Sequence, residues 1–325
     1  MTDAASLPPD PGPRRDLSLL YARLVQKPIL RALRHQPTLR RLFSIQCRLA
    51  YPPPTGLGVR AGSFGHLGGR KVPVDWMRPC GVSRDAPVLF YVHGGGFVLG
   101  GPETHRSMVA RIAAAAGMRA VMPRYRLAPE YPYPAAPDDI ETAWLGLTRR
   151  VDPSRIAVAG DSAGACLVLS LIHRLNRRGD PLPRAMTLLS PVADLTLASD
   201  AVLADPEADP LIPAVWAERV IAAYVGTADR GDGDVSPLFG DLDGAPPTLV
   251  QASADEILRH DAERLVARLT RGGANARLSL FHGVPHVWQM QAGRHAPADL
   301  AVEELGAFLA DRMGSQRRPR RQEAA

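Results

Sequence analysis

Apolar residues at Leu17, Leu20, Leu24, Ile29, Leu30, Leu33, Leu39, Leu42 and Ile45 recur at three- and four-residue intervals, the spacing of one helical face. Pro28 and Pro37 fall inside this run and predict breaks in it. The stretch from 16 to 49 therefore reads as a short helical appendage, closed by Pro52-Pro53-Pro54-Thr55-Gly56. After it the period changes. Short β-branched runs at 59–64, 70–76, 87–93, 119–124, 155–160, 185–190, 247–252 and 277–281 read as eight strands. Helical patterns at 104–116, 137–150, 163–176, 213–224, 261–271 and 298–312 fall among them. Strand and helix in alternation predict an α/β fold, a mostly parallel eight-stranded sheet flanked by crossover helices. The expected organisation is a disordered start and helical cap over 1–55, a catalytic domain over 56–314, and a disordered basic tail over 315–325. The segment 194–243 is longer than a plain crossover and is expected to add to a cap or lid.

Composition narrows the class. With 46% hydrophobic and 22% charged residues, 325 residues are ample for one core. The net charge of +6 is concentrated near the two ends, which argues against a nucleic-acid partner. Cys47, Cys80 and Cys166 have neither paired nor CxxC spacing, so neither a disulfide framework nor a metal site is expected. The first ten residues lack a basic segment followed by an apolar run, and no apolar stretch reaches the ~20 residues that span a bilayer. The expectation is a cytoplasmic protein without an integral membrane segment, its basic rim leaving peripheral contact with anionic lipid open.

Chemistry first shows at Gly160-Asp161-Ser162-Ala163-Gly164. A hydroxyl becomes a useful nucleophile when it is held out of the backbone's way next to a base. A Gly-x-Ser-x-Gly turn between a buried strand and a helix provides the first condition. The five-residue pattern alone also occurs in ordinary tight turns. Here the strand ending at Gly160 and the helix opening at Ala163 supply the required context, and the helix N-terminus offers the Ala163 N–H beside a reacting carbonyl. Upstream, His93-Gly94-Gly95-Gly96-Phe97 follows a strand. Gly94, Gly95 and Gly96 expose successive amides that, with Ala163, are candidates for an oxyanion hole. His93 is expected to orient this loop. A phosphate-cradling loop is a poor alternative, because no Gly-Lys-Ser/Thr ending or helix-opening Gly-x-Gly-x-x-Gly follows.

These two motifs, with Tyr125-Arg-Leu-Ala-Pro-Glu130 and Tyr133-Pro-Ala-Ala136 between them, resemble the hormone-sensitive-lipase-like branch of the α/β hydrolases over residues 56–312. One departure is Arg124, where relatives usually carry Asp. The resemblance implies an α/β-hydrolase fold, an N-terminal helical cap and a preference for short- to medium-chain acyl esters. In that fold the acid follows a late strand and the base lies in the loop after the last one. Asp255, directly after the strand at 247–252, is the expected acid, with Glu256 and Asp261 as alternatives. His286 is the expected base, ahead of His282, His260 and His295. The expected function is that of a serine carboxylesterase, an esterase or lipase working through an acyl-enzyme with Ser162, Asp255 and His286. An amidase or deacetylase on the same triad and a non-catalytic small-ligand receptor are the alternatives. The expected partners are an acyl ester and water, with no cofactor or metal, and a homodimer is left open. Trp216, Tyr224 and Trp288 are candidate pocket walls that also read as ordinary packing, and Cys166 reads as a small core residue.

Overall fold

The computed structural model describes residues 17–65, 70–197 and 208–314. The sequence readings for the two ends, and for part of the 194–243 segment, fall partly outside these residues. Strands β1 (Gly58–Gly65), β2 (Lys71–Arg78), β3 (Val88–Val92), β4 (Arg119–Pro123), β5 (Ile156–Asp161), β6 (Ala185–Leu189), β7 (Thr248–Ser253) and β8 (Ala276–Phe281) form one sheet. Its order is β1-β2-β4-β3-β5-β6-β7-β8. β2 is antiparallel to β1 and β4, and the remaining pairs are parallel.

The central strands read as unbroken apolar runs because both faces of the sheet are covered. Val88, Phe90 and Val92 of β3, Ile156 and Val158 of β5 and Met186 and Leu188 of β6 point into one core. Leu89 and Tyr91, Ala157 and Ala159, and Ala185 and Leu189 point into the other. Helices α5 (Ala135–Thr148), α6 (Ala163–Arg178) and α8 (Arg259–Arg271) cover the first face. Helices α4 (Pro102–Ala116) and α9 (Ala296–Arg312) pack together over the second. Because β4 lies on one side of β3 and β5 on the other, a crevice opens at the carboxyl ends of β3 and β5. The loop after β3 and the turn after β5 both end there.

The cap differs from its sequence reading in one respect. Helix α1 (Leu17–Tyr21) runs through a π-helical turn at Ala22–Gln26 into α2 (Lys27–Ala32), so the chain stays helical past Pro28. Pro37 sits in the first turn of α3 (Gln36–Ala50), where the missing N–H has no intrahelical partner to lose. The wider turn before Pro28 accommodates its missing donor. Polar contacts tie the cap to the body. Arg40 donates to the carbonyls of Val98 (2.7 Å) and Ala128 (2.8 Å) and pairs with Glu130. Lys27 Nζ donates to the carbonyl of Asp209 at 2.8 Å. Arg124 donates to Asp75 on β2 at 3.0 and 3.1 Å and to Glu103 on α4 at 2.8 Å, so the unusual arginine has carboxylate partners on two elements.

Candidate active site

Ser162 stands at the turn from β5 into α6 with φ 51° and ψ −122°, a backbone conformation that L residues rarely adopt. Packing enforces it. A Cβ on Gly160 would lie 2.6 Å from the Gly164 carbonyl oxygen, and one on Gly164 would lie 2.2 Å from that of Val92. Only glycine on both sides lets the turn close this tightly against β3. The Ser162 N–H donates to the Leu189 carbonyl, which fixes the elbow to β6.

The glycine loop is anchored by a residue whose role the sequence reading did not assign. Asp161, 2% exposed, accepts from Tyr91 Oη (2.8 Å), the Gly94 N–H (3.0 Å) and His105 Nε2 (3.3 Å). Burial works against its charge, but His105, through charge and hydrogen bond, and the hydrogen bond from Tyr91 outweigh it and hold the carboxyl below its ordinary 3.8. The expectation for Gly94 is corrected accordingly. Its N–H is spent on Asp161, and a Cβ there would sit 2.2 Å from the carboxylate. Among the described residues the N–H groups of Gly95, Gly96 and Ala163 donate to no protein acceptor. His93 lies 1% exposed beneath the loop, its Nδ1–H donating to the Gly94 carbonyl at 2.9 Å and its ring stacked on Tyr125 at 4.3 Å.

Burial, then the neighbouring His105, push the His93 imidazole down to about 4 from 6.5. A base whose folded pKa is depressed binds fewer protons folded than unfolded. Stability is therefore full above 6.5 and lost as pH falls towards 4, by about 3 kcal/mol for this shift. Thermal melts are expected to show Tm falling across that window in the wild type, with a shallower slope in His93→Asn. Equal slopes would contradict the assignment.

The base and acid positions hold a second correction. His286, its side chain 8% exposed, makes its Nδ1 contact with Glu256 Oε2 at 2.5 Å and not with Asp255. Asp255 is exposed and accepts from the Gly283 N–H at 2.8 Å. The reason is local. Ser253 Oγ accepts from the Asp255 N–H, while Glu256 Oε1 accepts from the Ser253 N–H at 2.9 Å, and this second bond folds the Glu256 side chain back towards the end of β7. The pattern Ser253-x-x-Glu256 was the available signal. Asp261, the other alternative, accepts from the N–H groups of Ala193 and Asp194 instead. Ser253 Oγ donates to the Val284 carbonyl at 2.6 Å and ties the two loops together. Val287, after the histidine, is held at φ 50°, a strained value for a β-branched residue. Burial lowers the His286 pKa, but the Glu256 charge and hydrogen bond, followed by Asp209, outweigh it, so the net shift is upward.

Asp209 also escaped the sequence reading. Fully buried, it accepts from the N–H groups of Leu211 and Ile212 at 2.7 Å and of Ile257 at 3.1 Å. It thereby clasps two cavity-wall residues to the turn that carries Glu256. Two cavities meet at Ser162. The larger, about 170 Å³, is lined by Ser162, His286, Gly95 and Gly96 and walled by cap residues including Ile29, Leu42 and Phe43. The smaller, about 40 Å³, is lined by Ser162, Ala163 and apolar residues such as Val192, Leu195 and Ile221. Trp216, on helix α7 (Ala214–Val225), borders both, its ring packed on Gly96. Tyr224 stacks on Phe97, and Trp288 and Cys166 belong to the cores.

A histidine braced by a buried carboxylate, a strained serine and open amides around one cavity suit acyl transfer. Known proteins of similar sequence and structure carry that chemistry in their names. A family model described as an α/β hydrolase fold matches residues 89–290. An acetyl-hydrolase of Streptomyces hygroscopicus is 33% identical over 256 residues, 76% of this chain and 85% of that protein. An esterase of Acinetobacter venetianus is 35% identical over 223 residues, 68% and 74% of the two chains. The crystal structure of an esterase from the bacterial hormone-sensitive lipase family superposes with a TM-score of 0.83 at 34% identity, covering 94% of this chain and 100% of that one. The chain thus belongs to the hormone-sensitive-lipase-like branch of the α/β hydrolases and is a carboxylic ester hydrolase.

Proposed function

We propose that this enzyme is a serine carboxylesterase that cleaves short- to medium-chain acyl esters through an acyl-enzyme on Ser162. The observation that carries the reading is the shared cavity, in which Ser162 and His286 stand together with Gly95 and Gly96 while Glu256 holds the far side of the imidazole. His286 Nε2 takes the Ser162 proton as Oγ attacks the ester carbonyl, and Glu256 stabilises the imidazolium. The N–H groups of Gly95, Gly96 and Ala163 receive the negative oxygen, each such donor contributing about 3 kcal/mol to the transition state. The imidazolium then protonates the leaving alcohol. Water, deprotonated by the same nitrogen, releases the acid.

This sequence of proton transfers orients the substrate. The leaving oxygen must face His286, which lines the larger cavity and not the smaller. The alcohol portion accordingly occupies the larger cavity and the acyl chain the smaller, whose size and apolar walls favour a short chain. In the larger cavity, cap residues contact the alcohol. The unpaired thiols of Cys47, Cys80 and Cys166 support a reducing compartment, the cytoplasm, as the place of work. Among the described residues no helix is long and apolar enough to cross a membrane.

A series of p-nitrophenyl esters tests both parts. The wild type is expected to release a burst of nitrophenol equal to the enzyme concentration whenever deacylation is slower than acylation, and to favour short acyl chains. Trp216→Ala is expected to raise kcat/KM for longer chains relative to acetate by roughly tenfold, since each methylene accommodated by an apolar wall is worth ~1–3 kcal/mol. An unchanged chain-length profile would remove Trp216 from the acyl wall.

A further inference from the structure

Of the fourteen large apolar side chains exposed in the described chain, nine lie on the cap, between Leu17 and Leu49. Leu24 and Leu49 are 67% and 76% exposed. On α3 the exposed positions Leu42, Ile45 and Leu49 follow the spacing of one helical stripe, which runs alongside the buried Leu39. The helix therefore has apolar residues on its inner and its outer side. Exposed apolar surface of this kind marks an interaction site when it is grouped, as here, and not scattered.

Charge specifies the partner. From Leu17 to Tyr51 the chain has six arginines and Lys27 and not a single Asp or Glu, more positive charge than the +6 of the whole protein. Arg40 is engaged with Glu130 and Lys27 with the Asp209 carbonyl. Arg23, Arg31, Arg34, Arg41 and Arg48 are exposed among the apolar stripes. Arg48 also lines a cleft of about 340 Å³ between α3 and α4, whose walls include Ser44, Glu103 and an Arg106 that is paired with Asp75. Basic and apolar side chains interleaved on short helices match an anionic lipid surface, where the apolar groups enter the acyl boundary and the cations meet the headgroups.

Position links the face to the chemistry. Ile29 and Leu42 are exposed on the cap and also wall the larger cavity. The apolar surface thus continues from the outside of the cap into the cavity proposed for the ester's alcohol portion. We propose that the cap's outer face docks the enzyme on anionic lipid aggregates, with the mouth of the ester cavity turned to the lipid. The use made of docking rests on the ester-hydrolase reading; the docking itself does not.

The test is co-sedimentation of the full chain carrying Ser162→Ala, which separates docking from hydrolysis, with phosphatidylcholine vesicles alone or containing about one-third phosphatidylglycerol. Partition onto the anionic vesicles is expected to be at least ~10-fold tighter and to weaken at 1 M salt, where the Debye length is about 3 Å. Leu24→Glu with Leu49→Glu is expected to reduce partition by ~10-fold or more. In the active enzyme the same pair leaves turnover of a water-soluble ester unchanged, which shows that the variant is folded. Equal binding to both vesicle types, binding unaffected by the two substitutions, or no binding at all overturns the proposal. So does a dimer in sedimentation velocity that the substitutions dissociate while vesicles go unbound, since the face then belongs to a second copy.

Discussion

Ser162→Ala is expected to lower kcat on a soluble acyl ester by about a million-fold while leaving Tm unchanged or slightly raised. The loss is large because the proposed acyl-enzyme route runs through the Ser162 hydroxyl, which the substitution removes. Residual turnover, of the order of a thousand-fold above water, would come from the open amides of Gly95, Gly96 and Ala163 acting on bound ester. The fold is spared because alanine keeps the Cβ and removes only the hydroxyl. The positive φ at position 162 is imposed by Gly160 and Gly164 packing against each other and against β3, and that packing is untouched. A fluorophosphonate is expected to add its mass to the wild type at Ser162 and to leave the variant unlabelled. Hydrolysis retained at roughly a hundredth of the wild-type rate or more would show that another group attacks the ester.

The elements that position this serine were legible from residue patterns because each was over-determined. Buried parallel strands such as β3 and β5 require apolar residues on both faces, and runs such as Val88–Val92 and Ile156–Asp161 have no other use in a chain of this kind. The glycines of the elbow were legible for the same reason, since close approach to Val92 leaves no room for a side chain. What escaped was decided by reach and by backbone hydrogen bonds between distant segments. Asp161 stands within the serine motif itself, yet its partners Tyr91, Gly94 and His105 come from β3, the following loop and α4, a convergence that linear spacing does not encode. Asp209 clasps Ile257 from 48 residues away. At the cap, sequence treated proline as an interruption. The chain instead widened one turn before Pro28 and continued, because a wider turn ahead of the ring relieves the i→i−4 bond that proline cannot make.

Asp255 and Glu256 are neighbours, and kinetics should separate them by about three orders of magnitude. Glu256→Gln keeps the side chain's shape but replaces the carboxylate that faces His286 Nδ1 with an amide, which stabilises the wrong tautomer and no longer offsets an imidazolium. The expected fall in kcat is about 10,000-fold, the size seen when a triad carboxylate is made neutral. Asp255→Asn leaves His286 and Glu256 in contact and weakens only the bond to the Gly283 N–H, so a change under ~10-fold is expected. The pH profile gives a second reading of the same pair. Attack on the ester needs neutral imidazole, and the His286 pKa lies above its ordinary 6.5 because the Glu256 charge and hydrogen bond outweigh burial. Activity in the wild type should therefore rise with pH along a limb centred above 6.5. In Glu256→Gln the main raising cause is gone while burial persists, so the limb should move to lower pH. Stability runs the other way: a histidine whose folded pKa is raised contributes fully below 6.5 and loses that contribution as pH climbs through the folded value. The wild type is thus expected to give up part of its stability over the pH range in which it becomes active, and Glu256→Gln to show less of that loss. A collapse of activity in Asp255→Asn with Glu256→Gln spared would return the acid's role to Asp255.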